Sequence, residues 1–237
     1  MALPKLGYPT YELELPSTGK TVKYRPFLVK EEKVLLLALE AEDEKQVTSA
    51  VKDLLKNCVI SRIKVDQLPS FDLEFLFLKI RAASIGELIT LTVTCLDDNE
   101  TKVEAAINIE DVQVFKPEGH STKVMFDDTT GIIMKYPSMQ QFVDREFLQK
   151  ELKTEEVYDF IAGSIDQIFD GEEVYDSTTT TKKEFRTFVD GLTTKQFEKI
   201  QQFYTTCPKL SHTFKVVNPN TGKDSEYTIE GLQSFFA

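Results

Sequence analysis

The segment IEDVQVF at Ile109–Phe115 returns as IEGLQSF at Ile229–Phe235, 120 positions later. The same offset carries Lys79 and Ile80 onto Lys199 and Ile200. Recurrence at a fixed long period restricts a chain to few architectures, because each copy should fold as the same kind of unit. An internal duplication of roughly 115 to 120 residues is the preferred reading. The alternative is chance agreement between two units written in the small alphabet of strand and helix patterns, and some segments, such as Glu74 with Glu198, match only in shifted register.

The order of elements repeats as well. Tyr11–Leu15 alternates, Pro16–Lys20 is a turn cluster containing Gly19, and Thr21–Phe27 alternates again, which predicts a hairpin. Helical periods follow, with Val34, Leu35, Ala38 and Leu39 on one face and Val47, Val51, Leu54 and Leu55 on a second helix. A third helix carries Leu73, Leu76, Phe77 and Ile80, with Ser70 placed to cap it. Ile89–Cys95 and Lys102–Ile109 alternate around the polar tip Leu96–Glu100 and predict a second hairpin. After KPEGHS, Lys116–Ser121, whose Pro and Gly mark a linker, the order recurs. A hairpin over Lys123–Tyr136 leads to a helix capped by Ser138, to helical stretches at Glu155–Phe169, Lys182–Val189 and Thr194–Tyr204, and to a closing hairpin from Phe214. Glu172–Thr181, with its run of threonines, reads as a mobile polar loop. The expectation is an α+β fold of two similar lobes, residues 1–116 and 122–237, each made of antiparallel β-hairpins with a small helical bundle.

Composition narrows the function. A chain of 237 residues with 41% apolar content can bury a core, and its formal charge of -11 argues against general affinity for nucleic acid or anionic lipid. Solubility and a basic partner are the readier explanations of that charge. No run approaches the roughly 20 apolar residues that a membrane span requires, and Met1–Thr10 lacks a signal-type segment. Cys58, Cys95 and Cys207 are odd in number and widely spaced, which predicts a reducing compartment rather than a disulfide framework.

Catalytic signatures are scarce. The two histidines are His120, in the linker, and His212, before the last hairpin. Cys207 and His212 are separated by Pro208 and the start of a strand, and no G-x-S-x-G element presents a serine. STGKTVKY at Ser17–Tyr24 contains a G-K-T, but Glu14 occupies the position of the first glycine of a phosphate loop, and the context is a hairpin. Acidic clusters such as Asp97, Asp98 and Glu100 lack the pattern of a calcium loop and read as a solvated tip. No catalytic residue, metal ligand or cofactor is expected. The binding candidates are Leu232, Phe235 and Phe236, which share one side of a short terminal helix. That side either packs on the last hairpin, the preferred reading, or reaches a partner. The matched Asp111–Phe115 should then do the same structural job.

KIRAASIGELITLTVTC at Lys79–Cys95 and the ending CPKLSHTFKVV…YTIEGLQSFF resemble the T4-type bacteriophage baseplate hub proteins, described as hub subunits or hub assembly proteins. The resemblance covers most of the chain. It implies a non-enzymatic tail-morphogenesis protein, made late in infection, that binds baseplate hub proteins in the host cytoplasm. Such a protein either stays in the virion tail baseplate as a structural subunit or leaves it as an assembly chaperone. An enzyme or regulatory protein on the same scaffold is the alternative. Relatives often place a C-P-x-C-G knuckle, suited to zinc, at the tip of the last hairpin. Here that tip reads Asn218, Pro219, Asn220, Thr221, Gly222, and in the earlier hairpin only Cys95 remains. Cys95, Asn218 and Thr221 are therefore degenerate knuckle positions, and turn chemistry from Asn218 and Asn220 is expected to hold the tip without metal.

Overall fold

The computed structural model describes residues 7–41, 43–138 and 154–235, and these form two compact units. The first unit joins Met1–Phe115 to Lys209–Ala237, and the second is Lys116–Pro208. Small antiparallel sheets and helices make the fold α+β, as the alternation of periods predicts.

In the first unit, β1 (Tyr11–Glu14) pairs with β2 (Thr21–Tyr24), and Gly19 supplies the positive φ of 67° in the turn between them. Helices α1 (Val29–Glu40), α2 (Glu44–Cys58) and α3 (Ser70–Ile85) follow. α3 is apolar nearly all round, and it is the buried centre of the unit: Phe71, Leu73, Leu76, Phe77, Leu78 and Ile80 are all inside. Its N-cap is Pro69 with no side-chain capping bond, so Ser70 is the first helical residue and not the expected cap. Asp72, in the first turn of α3, is buried and accepts hydrogen bonds from the backbone N–H of Ser17, at 3.0 Å, and from the Ser17 hydroxyl. The β1–β2 turn is thereby tied to the central helix.

Next come β3 (Leu88–Thr94) and β4 (Lys102–Asn108), paired from Leu88 opposite Asn108 to Thr94 opposite Lys102. Ile89, Leu91, Ala105 and Ile107 point into the core, and Thr90 and Thr92 point out, which is the period-two pattern. β5 (Gln113–Phe115) then pairs with β10 (Lys209–Val217), which pairs in turn with β11 (Asp224–Glu230).

That pairing alters the expected division. The C-terminal lobe expected over 122–237 does not keep its closing hairpin, because β10 continues the sheet begun by β5 and so belongs with the first unit. The matched segments also differ in structure. Phe115 ends the exposed strand β5, whereas Phe235 is buried in a 3-10 turn, Leu232–Phe235. Ile80 and Ile200 do share a role, each fully buried on a helix.

The second unit is a meander of β6 (Lys123–Met125), β7 (Thr130–Met134), β8 (Ile165–Asp170) and β9 (Glu173–Asp176) with helices α4 (Thr154–Gly163), α5 (Lys182–Asp190) and α6 (Thr194–Thr205). Ile132, Met134, Ile161, Ile168, Phe185, Val189, Ile200 and Phe203 form its core. Gly131 allows the close approach of the sheet, since a Cβ there would lie 2.6 Å from the Phe169 ring and from the Val124 carbonyl. Two expectations change here. The helix read over Glu155–Phe169 ends at Gly163, and Ile165–Asp170 is a strand that turns through Gly171, at φ 60°, into β9. The threonine run is structured, too. The Asp176 carboxylate accepts from the Thr178 and Thr179 N–H groups at 2.8 and 3.2 Å, and Thr181 caps α5 in a capping box with Glu184. The helix expected after Ser138 lies outside the described residues.

Candidate partner-binding surface

The knuckle positions meet at the tips of two hairpins of the first unit. In the β3–β4 tip, Cys95 donates its N–H to the Thr101 carbonyl at 2.7 Å, and Asn99 takes a positive φ of 56°. Asp98 accepts from the N–H groups of Glu100 and Thr101, each at 3.0 Å, and from the Thr101 hydroxyl at 2.5 Å. In the β10–β11 tip, the Asn218 side-chain oxygen accepts the Asn220 N–H at 2.9 Å, the turn chemistry the sequence predicts, and Gly222 supplies φ 71°.

The tips also hold each other. The Asn218 side-chain amide donates to Asp97 and to Asp98, both at 2.9 Å. Thr221 donates its hydroxyl to Asp97 at 2.5 Å, Asn220 donates to the Thr101 hydroxyl at 2.9 Å, and the Tyr227 hydroxyl donates to the Thr94 carbonyl. Asn218 is fully buried, and its two N–H donors and its oxygen are all used. The Asn218 amide, followed by the Thr221 hydroxyl, holds the Asp97 carboxyl below the usual range. Asp98 is held lower still, first by the Thr101 hydroxyl and then by backbone N–H groups. The two aspartates are thus structural acceptors and not only solvated tip residues. Burial, followed by the charges of Asp98 and Asp97, pushes the Cys95 thiol above its ordinary value. The donor set facing the junction is amide, hydroxyl and carboxylate, each already engaged.

Of the terminal residues, Phe235 is 2% exposed and serves the core. The chain reaches it through Gly231, at φ 69°, whose N–H donates to the Leu210 carbonyl at 3.0 Å. Leu232 opens the same 3-10 turn, its side chain lies outside the description, and Phe236 lies outside the described residues. Phe115 does a different job from Phe235, being 58% exposed on β5.

The residues considered for catalysis have structural partners. The His120 Nδ1 lies 2.9 Å from the Thr206 hydroxyl and its Nε2 lies 3.1 Å from the Tyr136 hydroxyl. Thr206 gives its own proton to the Gln202 carbonyl, at 2.7 Å, so His120 carries its hydrogen on Nδ1 and accepts from Tyr136. Burial, together with the charge of Lys116, lowers the His120 pKa. His212 stands in β10 opposite Ile229 and stacks on Phe214. Burial pushes the Cys207 thiol up to about 11, which leaves it protonated and weakly nucleophilic at neutral pH. Gly19 and Lys20 of the G-K-T close the β1–β2 turn and Thr21 opens β2, with the Glu14 carboxylate beside Gly19. Among the described residues no group of three His, Cys, Asp or Glu side chains is arranged to hold a metal ion.

A surface that periodicity missed lies on α1. The expected face, Val34, Leu35, Ala38 and Leu39, is only partly inside: Leu35 and Ala38 are buried, but Val34 is 52% exposed. Val29, Leu36 and Leu37 are exposed to 80%, 52% and 54%. The helix is rolled so that Glu31 faces inward. There it meets Arg25 at 3.1 Å and accepts the Leu28 N–H at 2.7 Å. The neighbouring helix α2 buries Val51, Leu54 and Leu55 and keeps polar residues such as Asp53 and Lys56 outside.

The first unit thus has two hairpins fastened to each other through side chains and a helix, α1, that presents aliphatic residues to solvent. The chain belongs to the family of T4 bacteriophage base plate proteins, whose profile matches residues 8–237. No curated protein and no solved structure matches it. Membership places its role in the phage tail baseplate. No described helix is long and apolar enough to cross a membrane.

Proposed function

We propose that this chain is a non-enzymatic morphogenesis protein that binds baseplate hub components during assembly of a contractile tail. The family match over residues 8–237 carries this reading. The net charge of -11 is suited to a partner that presents basic groups. The engagement of His120 by Thr206 and Tyr136, and the raised pKa of the half-buried Cys207 thiol, support a binding role over catalysis. The protein acts in the host cytoplasm and then either stays in the baseplate or leaves it as a chaperone.

Affinity purification of the tagged protein from infected cells, with quantitative mass spectrometry, tests the reading. Hub and baseplate proteins should co-purify, and the abundance of the chain in finished particles separates subunit from chaperone. Recovery of no tail protein would remove the hub assignment and favour an enzyme or regulator on the same scaffold.

A further inference from the structure

The stripe Val29, Lys33, Leu36, Leu37 and Glu40 runs along the outside of α1 at i, i+4, i+7, i+8 and i+11. All five residues are exposed. Its roll is fixed from the inside. Turning the helix to bury Leu36 and Leu37 would carry Glu31 away from Arg25 and from the Leu28 N–H, leaving a buried charge unpaired. The apolar stripe is therefore a fixed feature of the surface.

Its charges are arranged about a centre. Lys33 lies the same distance before the midpoint of Leu36 and Leu37 as Glu40 lies after it. When two such helices pack antiparallel about a two-fold axis at that midpoint, Leu36 of one meets Leu37 of the other. Each Lys33 then stands level with the opposite Glu40. Parallel packing would instead set Lys33 against Lys33 and Glu40 against Glu40. A self-complementary patch of this kind is what an isologous dimer requires. We propose that α1 pairs with α1 of a second copy of this chain in this antiparallel arrangement. The patch carries Lys33 and Glu40 in equal number, so an acidic chain can meet its copy there without local like-charge opposition. A helix of 12 residues is about 18 Å long, so the contact is smaller than a standard interface and the dimer is reversible. The inference stands independently of the hub reading.

Sedimentation equilibrium of the full chain provides the test, with Lys33→Glu, Glu40→Lys, the double variant, and an equimolar mixture of the two single variants. Circular dichroism should show the single variants folded, since both sites are exposed. The wild type should rise from monomer towards dimer mass with concentration, and each single variant should need roughly ten-fold more protein to do so. The double variant and the mixture should both recover wild-type association, because each restores opposite charges at both ends. A wild type that stays at monomer mass up to about 500 µM overturns the proposal and leaves the face to another protein or another segment of this chain. A dimer indifferent to the single variants, or not recovered in the mixture, overturns it equally.

Discussion

Asn218, at the tip of the last hairpin, gives both hydrogens of its side-chain amide to Asp97 and Asp98 at the tip of the β3–β4 hairpin, each at 2.9 Å. One buried amide therefore bridges two carboxylates that would otherwise repel each other. Asn218→Ala removes both bonds and leaves the carboxylates adjacent and unshared. Hydrogen bonds to charged groups contribute more than neutral ones, and the expected loss is about 2–3 kcal/mol in urea unfolding. Asn218→Asp should be worse than Ala, since it adds a third carboxylate to the same junction. A change below about 0.5 kcal/mol for both variants would mean the junction does not hold the hairpins together.

The junction and His120 predict acid sensitivity in two stages. Burial and Lys116 lower the His120 pKa in the folded state, so the unfolded chain protonates first as pH falls. The His120 contribution is complete above about pH 6.5 and declines as pH falls from there through the folded value. Asp97 and Asp98 are also depressed, by bonds to their ionised forms, and here too the unfolded chain takes protons first. Their contribution is complete above about pH 4 and is lost as pH falls through the folded values. Urea midpoints measured against pH should fall in both windows, and His120→Asn should abolish the upper decline while leaving the lower one.

The elements legible in the sequence are those whose determinants are local. The hairpins at Tyr11–Tyr24 and Leu88–Asn108 follow from alternation and turn residues within a few positions of each other. The strand Ile165–Asp170 was hidden because its apolar positions extend the helical period of Thr154–Gly163, although Asp170-Gly171 is a turn signal. The β5–β10 pairing and the bond between Asp97 and Asn218, 121 positions apart, are non-local, and no local pattern encodes them. The roll of α1 is hidden from apolar periodicity for a different reason. Apolar periodicity treats Glu31 as outward, whereas Arg25 makes it an inward residue.

The tip junction should need no metal. A structural zinc site takes four thiolate or imidazole ligands, and Cys95 is the one cysteine at this pair of tips. Its burial keeps the thiol protonated, and the residues at the knuckle positions Asn218 and Thr221 are occupied by Asp97 and Asp98. Protein purified without added metal should contain no stoichiometric zinc by elemental analysis, and a chelator should leave its unfolding midpoint unchanged. Tight zinc at one ion per chain would show that ligands other than these assemble.

The buried pair Arg25 and Glu31, 3.1 Å apart, sets which side of α1 faces the protein. Both side chains are at least nine-tenths buried, and Glu31 is the carboxylate that balances Arg25, while the exposed Lys30 lies 3.4 Å from Glu31 as well. Glu31→Ala strands the Arg25 guanidinium and removes the acceptor of the Leu28 N–H, and should cost about 3–5 kcal/mol. Arg25→Met combined with Glu31→Gln leaves no lone charge and keeps an oxygen for the Leu28 N–H. That double variant should lose much less than Glu31→Ala, because the penalty lies in the unpaired ion rather than in the lost attraction. Equal losses in the two variants, measured by denaturant unfolding, would instead assign the effect to packing around α1.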